Sequence, residues 1–523
     1  MGKIKLFWFL ILALITFTRI LCCENFNQVY EQKDWTIPEN GIDRYVFSNL
    51  NKLGITPAFQ CSDYVFIRRV YLDIVGTIPE PEEVKNFIND KNPEKRKILI
   101  DKLLDKEEFA EYLSMKFCDI LRIKSEFPIN LWPNGAQAYY NWILQSLKEN
   151  KPYDKFVREI LTSSGSNFRN PAVNFYRAVQ GRTPESIAQA VCLTFMGVRY
   201  EKLPENVRKN LSKFFSKISY KKTLEWKEEI VYFNPENNEI IEAVFPDGTK
   251  VKIQPDKDPR IVFANWLINE NNPYFSKNIV NRIWSWLFGR GIIHEVDDIR
   301  EDNKPSIPEL LNYLEREFIR SNYNIKHIYR LILNSRTYQQ SFIPQSKNPD
   351  IEKYFAYYPP RRLEAEVLLD ILCKITQSGI EYISQVPEPY TIIPPDRKNI
   401  LLYDGTITND FLELFGRPPR DTGYESERNN EISVEQLRYL LNSSSLFKKI
   451  QSSQYIKKII VDSNWNKRKT IENIYLALLS RYPTVSEIEI LENYFNKKGL
   501  NFNQAVEDIV WAIINSKEFL YKH

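Results

Sequence analysis

Asn272-Pro273-Tyr274-Phe275-Ser276-Lys277-Asn278-Ile279-Val280-Asn281-Arg282-Ile283-Trp284, continued by Leu287-Phe288-Gly289-Arg290-Gly291-Ile292-Ile293-His294-Glu295-Val296-Asp297-Asp298, sets charged and titratable side chains among aromatic ones. Asn-Pro opens a turn, and the apolar residues then recur at helical spacing up to Phe288. Gly289-Arg290-Gly291 reads as a tight turn, and His294, Glu295, Asp297 and Asp298 follow on a strand or loop, with Arg300 and Asn303 just beyond. Two aspartates beside arginine suit acid and base work if their pKa values are pushed apart. As sequence neighbours, however, Asp297 and Asp298 point to opposite faces of an extended segment, so one site takes only one of them easily. The reading favoured for the cluster Asn281, Arg282, Arg290, His294, Glu295, Asp297, Asp298, Arg300 and Asn303 is a buried ion-pair network that pins the loop between helices.

Helical grammar extends outward in both directions. From Ile42 to about Tyr200 apolar residues recur at three and four, as at Val84, Phe87, Ile88 and at Ile98, Ile100, Leu103, Leu104. Pro79-Glu80-Pro81-Glu82-Glu83 marks a turn and an acid-rich helix start, and Thr183-Pro184 is an N-cap followed by proline at the first helical position. Thr162 to Ser166 reads as a loop. Ile230 to Phe233, Ile240 to Phe245 and Val251-Lys252-Ile253, separated by Asn234-Pro235 and Pro246-Asp247-Gly248, follow strand and turn grammar. The second half is helical again from Pro259, apart from a proline-bearing loop between Ser378 and Asn399. The expected fold is therefore mainly α, a multi-helical two-domain protein with a small antiparallel β insertion between the halves. Val70-Tyr71-Leu72, Pro79 and Leu103 to Phe109 are echoed by Ile474-Tyr475-Leu476, Pro483 and Ile513 to Phe519, which points to recurring helical hairpins.

Arg68-Arg69-Val70-Tyr71-Leu72-Asp73-Ile74-Val75-Gly76, Asn150-Lys151-Pro152-Tyr153-Asp154-Lys155-Phe156 and Phe195-Met196-Gly197-Val198-Arg199 resemble the blocks of the planctomycete-type, cytochrome-C-associated domain of unknown function number fifteen-forty-nine. The stretch quoted first, with Asn303-Lys304-Pro305-Ser306-Ile307-Pro308-Glu309-Leu310-Leu311, resembles its C-terminal companion, number fifteen-fifty-three. The resemblance implies domains at 37–205 and 259–523, with a linker and β insertion at 206–258. Many relatives carry Cys-x-x-Cys-His soon after the Phe195 block, where this chain has Tyr200 to Asn206 without cysteine. Histidine commonly stands in the family where Ile307 does here, and cysteines stand where this chain has Tyr424 and Ser426.

Phe415-Gly416-Arg417-Pro418-Pro419-Arg420-Asp421-Thr422-Gly423-Tyr424-Glu425-Ser426-Glu427-Arg428 resembles another block of the same family and forms the second candidate cluster, Arg417, Arg420, Asp421, Glu425, Glu427 and Arg428. Its opposite charges are interleaved, so a loop that neutralises itself is expected rather than an anion site. Arg362 and Glu366 are one helical turn apart and read as a helix-supporting pair.

A basic Met1 to Lys5, an apolar Leu6 to Phe17 and a polar stretch from Glu24 form the layout of a signal peptide over 1–23, so the protein is expected to be exported, periplasmic or extracellular. No second apolar run is long enough to span a membrane. With Lys3, Lys5 and Arg19 removed, Lys plus Arg falls from 71 to 68 against 67 acids, and the formal charge from +4 to +1. That leaves no global electrostatic drive toward nucleic acid. Cys61, Cys118, Cys192 and Cys373 are widely spaced and read as buried thiols, with Cys61 and Cys118 a conceivable disulfide. No zinc, haem or phosphate-loop motif is present, so no metal or cofactor is expected. The expected role is an exported envelope protein serving as a binding or scaffold component, its partners other exported proteins or a glycan. The alternative is a hydrolase of extracellular polysaccharide in which Asp297, Asp298, Glu295 or His294 transfers protons.

Overall fold

The structure is a computed structural model that describes residues 29–523 except 34, 37, 38, 237, 388, 389 and 392. Residues 1–23, read above as a signal peptide and including Cys22 and Cys23, lie outside the described residues. The described chain contains 23 α-helices and is 52% helical with only 7% strand, a mainly α architecture with small antiparallel sheets.

Local chemistry fixes many helix ends where the sequence places them. Thr183 accepts a hydrogen bond from the Ser186 N–H at 3.2 Å and caps the helix Pro184–Val191. The two echoed hairpins are also built alike. Helix Asp63–Ile74 and helix Lys467–Leu479 each turn through a left-handed residue five positions after the shared tyrosine, Gly76 (φ 65°) and Ser480 (φ 58°). Helices Ile325–Leu333 and Phe502–Ile514 end on Asn334 and Asn515, and the following serines, Ser335 and Ser516, accept from Tyr338 N–H and Phe519 N–H.

The β insertion consists of two separate pieces. Strands Ile218–Lys222 and Glu229–Phe233 form an antiparallel hairpin, and Gly165–Ser166 pairs with Val231 and Ile230 along its other edge. The Thr162 to Ser166 loop thus contributes a short edge strand. The second piece is a hairpin of Ile241–Val244 and Lys250–Ile253. The strand Ile218–Lys222 is absent from the sequence reading because its Lys221 and Lys222 are exposed and its alternation is weak.

Two apolar cores result. One gathers residues from Tyr30 to Tyr358, together with Leu476, and so spans both halves of the sequence. The other is built from Leu363 onward and takes in Leu72, Ile78, Tyr112 and Met115 of the first half. Ionic ties cross the same boundary. Arg69 donates to the carbonyls of Tyr338, Gln340 and His523, and Asp73 accepts from Tyr338 Oη at 2.8 Å, Tyr358 Oη at 2.9 Å and Lys522 Nζ at 2.9 Å. Arg361–Arg362 pairs as a strand with Tyr521–Lys522. Arg362 is therefore extended rather than helical. It donates to the Phe415 and Asn429 carbonyls instead of bracing Glu366.

Candidate functional site

Helix Phe275–Phe288 is the axis of the site. Asn272 Oδ1 accepts from the N–H groups of Tyr274 and Phe275 and opens it, and Gly289 closes it in the left-handed region (φ 77°). Every residue of this helix is buried except Lys277, as expected of a helix surrounded by protein. A Cβ on Gly289 would sit 2.3 Å from Arg361 Cδ, because the Arg361 guanidinium lies across the helix end and bonds the Trp286 and Leu287 carbonyls.

Asn281 pins the following loop with its amide: Nδ2 donates to the Ile293 carbonyl and Oδ1 accepts from the Ile293 N–H, both at 2.9 Å. Gly291 must lack a side chain here, since a Cβ would stand 2.2 Å from the Ile293 carbonyl oxygen. Residues 290 to 303 run as turns and loop, with a single isolated bridge between Arg300 and Asn303.

Three separate arrangements arise from the first cluster. In the deepest, Arg282, with 0% side-chain exposure, contacts Asp297 Oδ1 through Nη2, Leu193 O at 3.0 Å, Asn278 Oδ1 at 3.1 Å and Glu425 Oε2 at 3.2 Å. Asp297 Oδ2 accepts from the Glu425 N–H at 2.7 Å, and Trp286 Nε1 donates to Glu425 Oε1 at 3.0 Å. Burial raises the Glu425 carboxyl; Arg282 opposes this and Asp297 adds to it. The second arrangement belongs to Asp298, which holds Arg300 Nε at 2.7 Å and Lys202 Nζ at 2.7 Å, while Asn303 Nδ2 bonds its carbonyl. Burial pushes the Asp298 carboxyl up, but the hydrogen bonds from Arg300 and Lys202 outweigh it and hold the group below the ordinary aspartate value. The two aspartates do diverge to different partners. The third is the solvent-facing pair His294 and Glu295, Nε2 to Oε1 3.2 Å; partial burial of the ring, with Arg290 nearby, lowers the imidazole despite Glu295. Arg290 pairs with neither aspartate.

The second cluster does not neutralise itself. Its arginines reach acids from elsewhere in the chain. Arg428 forks between Asp119 Oδ2 (2.8 Å) and Glu366 (2.7 and 2.9 Å). Arg420 Nε meets Asp119 Oδ1 at 2.8 Å. Arg417 approaches Glu366 at 3.5 Å and also donates to the Leu402, Asp404 and Ile407 carbonyls. Burial favours the neutral form of Glu366, yet Arg428 and Arg417 overcome it and hold the carboxyl at about 2. Its own acids disperse: Asp421 to Lys124 at 2.6 Å, Glu425 to Arg282, and Glu427 to Thr422. The interleaving of charge along the sequence misleads because an extended loop lets neighbouring side chains diverge, and buried arginines take whichever carboxylates the packed helices supply.

Asp119, Glu366 and Lys202 escaped the sequence reading. Glu366 reads in sequence as half of a local helix pair, Asp119 sits in an ordinary amphipathic helix, and Lys202 lies in the run where many relatives carry the cysteine motif. That run faces the other departure from the pattern: Tyr424 Oη contacts the Glu201 carboxylate at 3.3 Å and its ring lies under Arg199. Ile307 is in the core, 1% exposed.

Residues 41–201 match the family model PSCyt2, described as a protein of unknown function (DUF1549), and residues 259–495 match PSD1, described as a protein of unknown function (DUF1553). The chain belongs to this paired-domain family. No curated protein and no solved structure matches it. The first knot joins the two matched segments directly, since Leu193 and Thr194 of the PSCyt2 segment accept from Arg282 and Asn278 of the PSD1 segment, and the Ile299 N–H donates to the Gly197 carbonyl. A Cβ on Gly197 (φ 66°) would stand 2.6 Å from Asn278 Oδ1. Among the described residues no group of three or more His, Cys, Asp or Glu is placed to hold a metal ion, and no helix is long and apolar enough to cross a membrane. Cys61, Cys118, Cys192 and Cys373 are free thiols.

Proposed function

We propose that the protein is a non-catalytic binding or scaffold component of an extracytoplasmic system. The observation that carries this reading is the pairing of both aspartates. Asp297 and Asp298 are 2% and 6% exposed, and each is matched by cations and N–H donors, so neither carboxylate is left over for proton transfer to a substrate. Buried, fully partnered ion pairs fix geometry rather than perform chemistry. The mixed core and the Asp73 ties support a rigid body suited to presenting surfaces to partners. Export rests on the basic, apolar and polar order of the first residues.

The hydrolase alternative retains one point in its favour, the exposed His294 and Glu295 pair. The test is to incubate the purified protein with a panel of extracellular polysaccharides and assay both retention on immobilised glycan and release of reducing ends. Retention without release is expected. Release that disappears in Asp298→Asn or His294→Ala, with the melting temperature preserved, would overturn the proposal.

A further inference from the structure

Helices Gly41–Lys52 and Pro308–Arg320 pack side by side, and a groove of about 660 Å³ runs between them. Arg44, Lys52, Arg316 and Arg320 line it, opposed only by Glu309, which gives a formal charge of +3 in one groove of a chain whose total is +4. These cations are available. All four are exposed, and Arg44, Lys52 and Arg316 form no ion pair or side-chain hydrogen bond among the described residues, while Arg320 has only a 3.5 Å contact to Glu317. Like charges gathered in excess of their counterions repel one another, so the arrangement is held at a cost that a bound anion relieves.

The walls carry further recognition chemistry. Tyr45 and Tyr313 meet across the two helices with ring centroids 5.5 Å apart, and both line the groove. Burial raises the Tyr313 hydroxyl and Glu317 adds to that, while Arg44 and Arg320 both act to lower it. Ser48 and Asn49 also line the groove. Unmatched donors, guanidinium forks and amphipathic rings in one concavity of this size are the features of a small-ligand site.

We propose that this groove binds an extracellular oligosaccharide bearing carboxylate or sulfate groups. Guanidinium groups pair with planar oxyanions in bidentate fashion, and tyrosines offer a ring face and a hydroxyl to sugar CH and OH groups. A nucleic acid fits less well, because the whole chain carries a formal charge of only +4, little to hold a long phosphate backbone. The proposal rests on the binding-component reading above, and the two fail in distinguishable ways.

The test is calorimetric titration of the full chain with four probes: an oligogalacturonate, a sulfated dextran oligosaccharide, neutral dextran of equal length and a poly-glutamate peptide. Binding of one or both charged sugars is expected, weakened by salt as exposed charge pairs are. The carboxylated and sulfated arms identify the group recognised. Arg44→Glu with Arg316→Glu reverses two exposed cations and should weaken binding by about tenfold or more, with circular dichroism and melting temperature unchanged. Tyr313→Ala should weaken sugar binding without changing its salt dependence. Equal binding of neutral dextran, tighter binding of poly-glutamate than of either charged sugar, or an unchanged affinity in the double reversal would overturn the proposal. If a charged sugar binds but is cleaved, the groove stands and the non-catalytic reading falls.

Discussion

Replacing Asp297 by Ala strands Arg282 in a site from which water is excluded. The guanidinium has 0% side-chain exposure and keeps Leu193 O, Asn278 Oδ1 and Glu425 Oε2 at 3.0 to 3.2 Å, but it loses its shortest ionic contact. Removing one partner of a buried ion pair costs about 3–5 kcal/mol, since the remaining charge is left uncompensated. Glu425, with 28% side-chain exposure, remains as a second and wetter carboxylate, which places that loss near the bottom of the range. The Glu425 N–H loses its acceptor as well, worth about 1 kcal/mol. A total near ~4 kcal/mol follows, a large part of the ~5–15 kcal/mol that holds a typical domain together. Urea unfolding read by tryptophan fluorescence and by far-ultraviolet circular dichroism measures it, with two probes because a chain with two cores need not unfold in one step. The double variant Arg282→Met, Asp297→Leu removes the uncompensated guanidinium but takes the cation from Glu425 and leaves the Glu425 N–H without its acceptor, so it should recover only part of the loss. An Asp297→Ala protein within about 1 kcal/mol of the parent would refute the reasoning, because it would mean that Arg282 is solvated or otherwise paired.

Glu366 sets an acid limit on stability. Its folded value of about 2 lies below the ~4.3 of an unfolded glutamate, so its contribution is complete above about pH 5 and is lost as the pH falls toward 2; the urea midpoint should drop through that window, and Arg428→Met should flatten the drop. Gly289→Ala forces a Cβ against Arg361 at a left-handed position and should lower stability by about 1 kcal/mol or more, visible as a lower melting temperature. Alkylation of unfolded, unreduced protein should label Cys61, Cys118, Cys192 and Cys373, and native protein should react at half-exposed Cys373 first; a Cys61–Cys118 crosslinked peptide in a digest would contradict the structure.

Helix identity was legible because caps and apolar spacing are local: Thr183-Pro184 and the Asn-Ser steps each specify their own turn. The first cluster was legible as a place, since Asn281, Arg282, Asp297 and the glycine turn lie within one supersecondary unit. The partners were not. Glu425 lies 128 residues from Asp297, Asp119 lies 309 residues from Arg428, and no periodicity links such positions before the helices pack. Lys-rich Ile218–Lys222 was missed because an exposed edge strand needs little apolar alternation. The groove between Gly41–Lys52 and Pro308–Arg320 joins residues roughly 270 positions apart in the sequence, and each cation alone reads as ordinary helix surface.

The shared cores bear on how the chain matures as it is made. Leu72, Ile78, Tyr112 and Met115 are covered by segments that begin at Leu363. At about 5–20 residues per second, the first of those segments leaves the ribosome roughly 12–50 s after Met115. During that interval the early helices show sticky faces to the cell, so a nascent chain of this kind depends on being shielded, and trimming it to its first matched segment yields an orphan with nothing to close against.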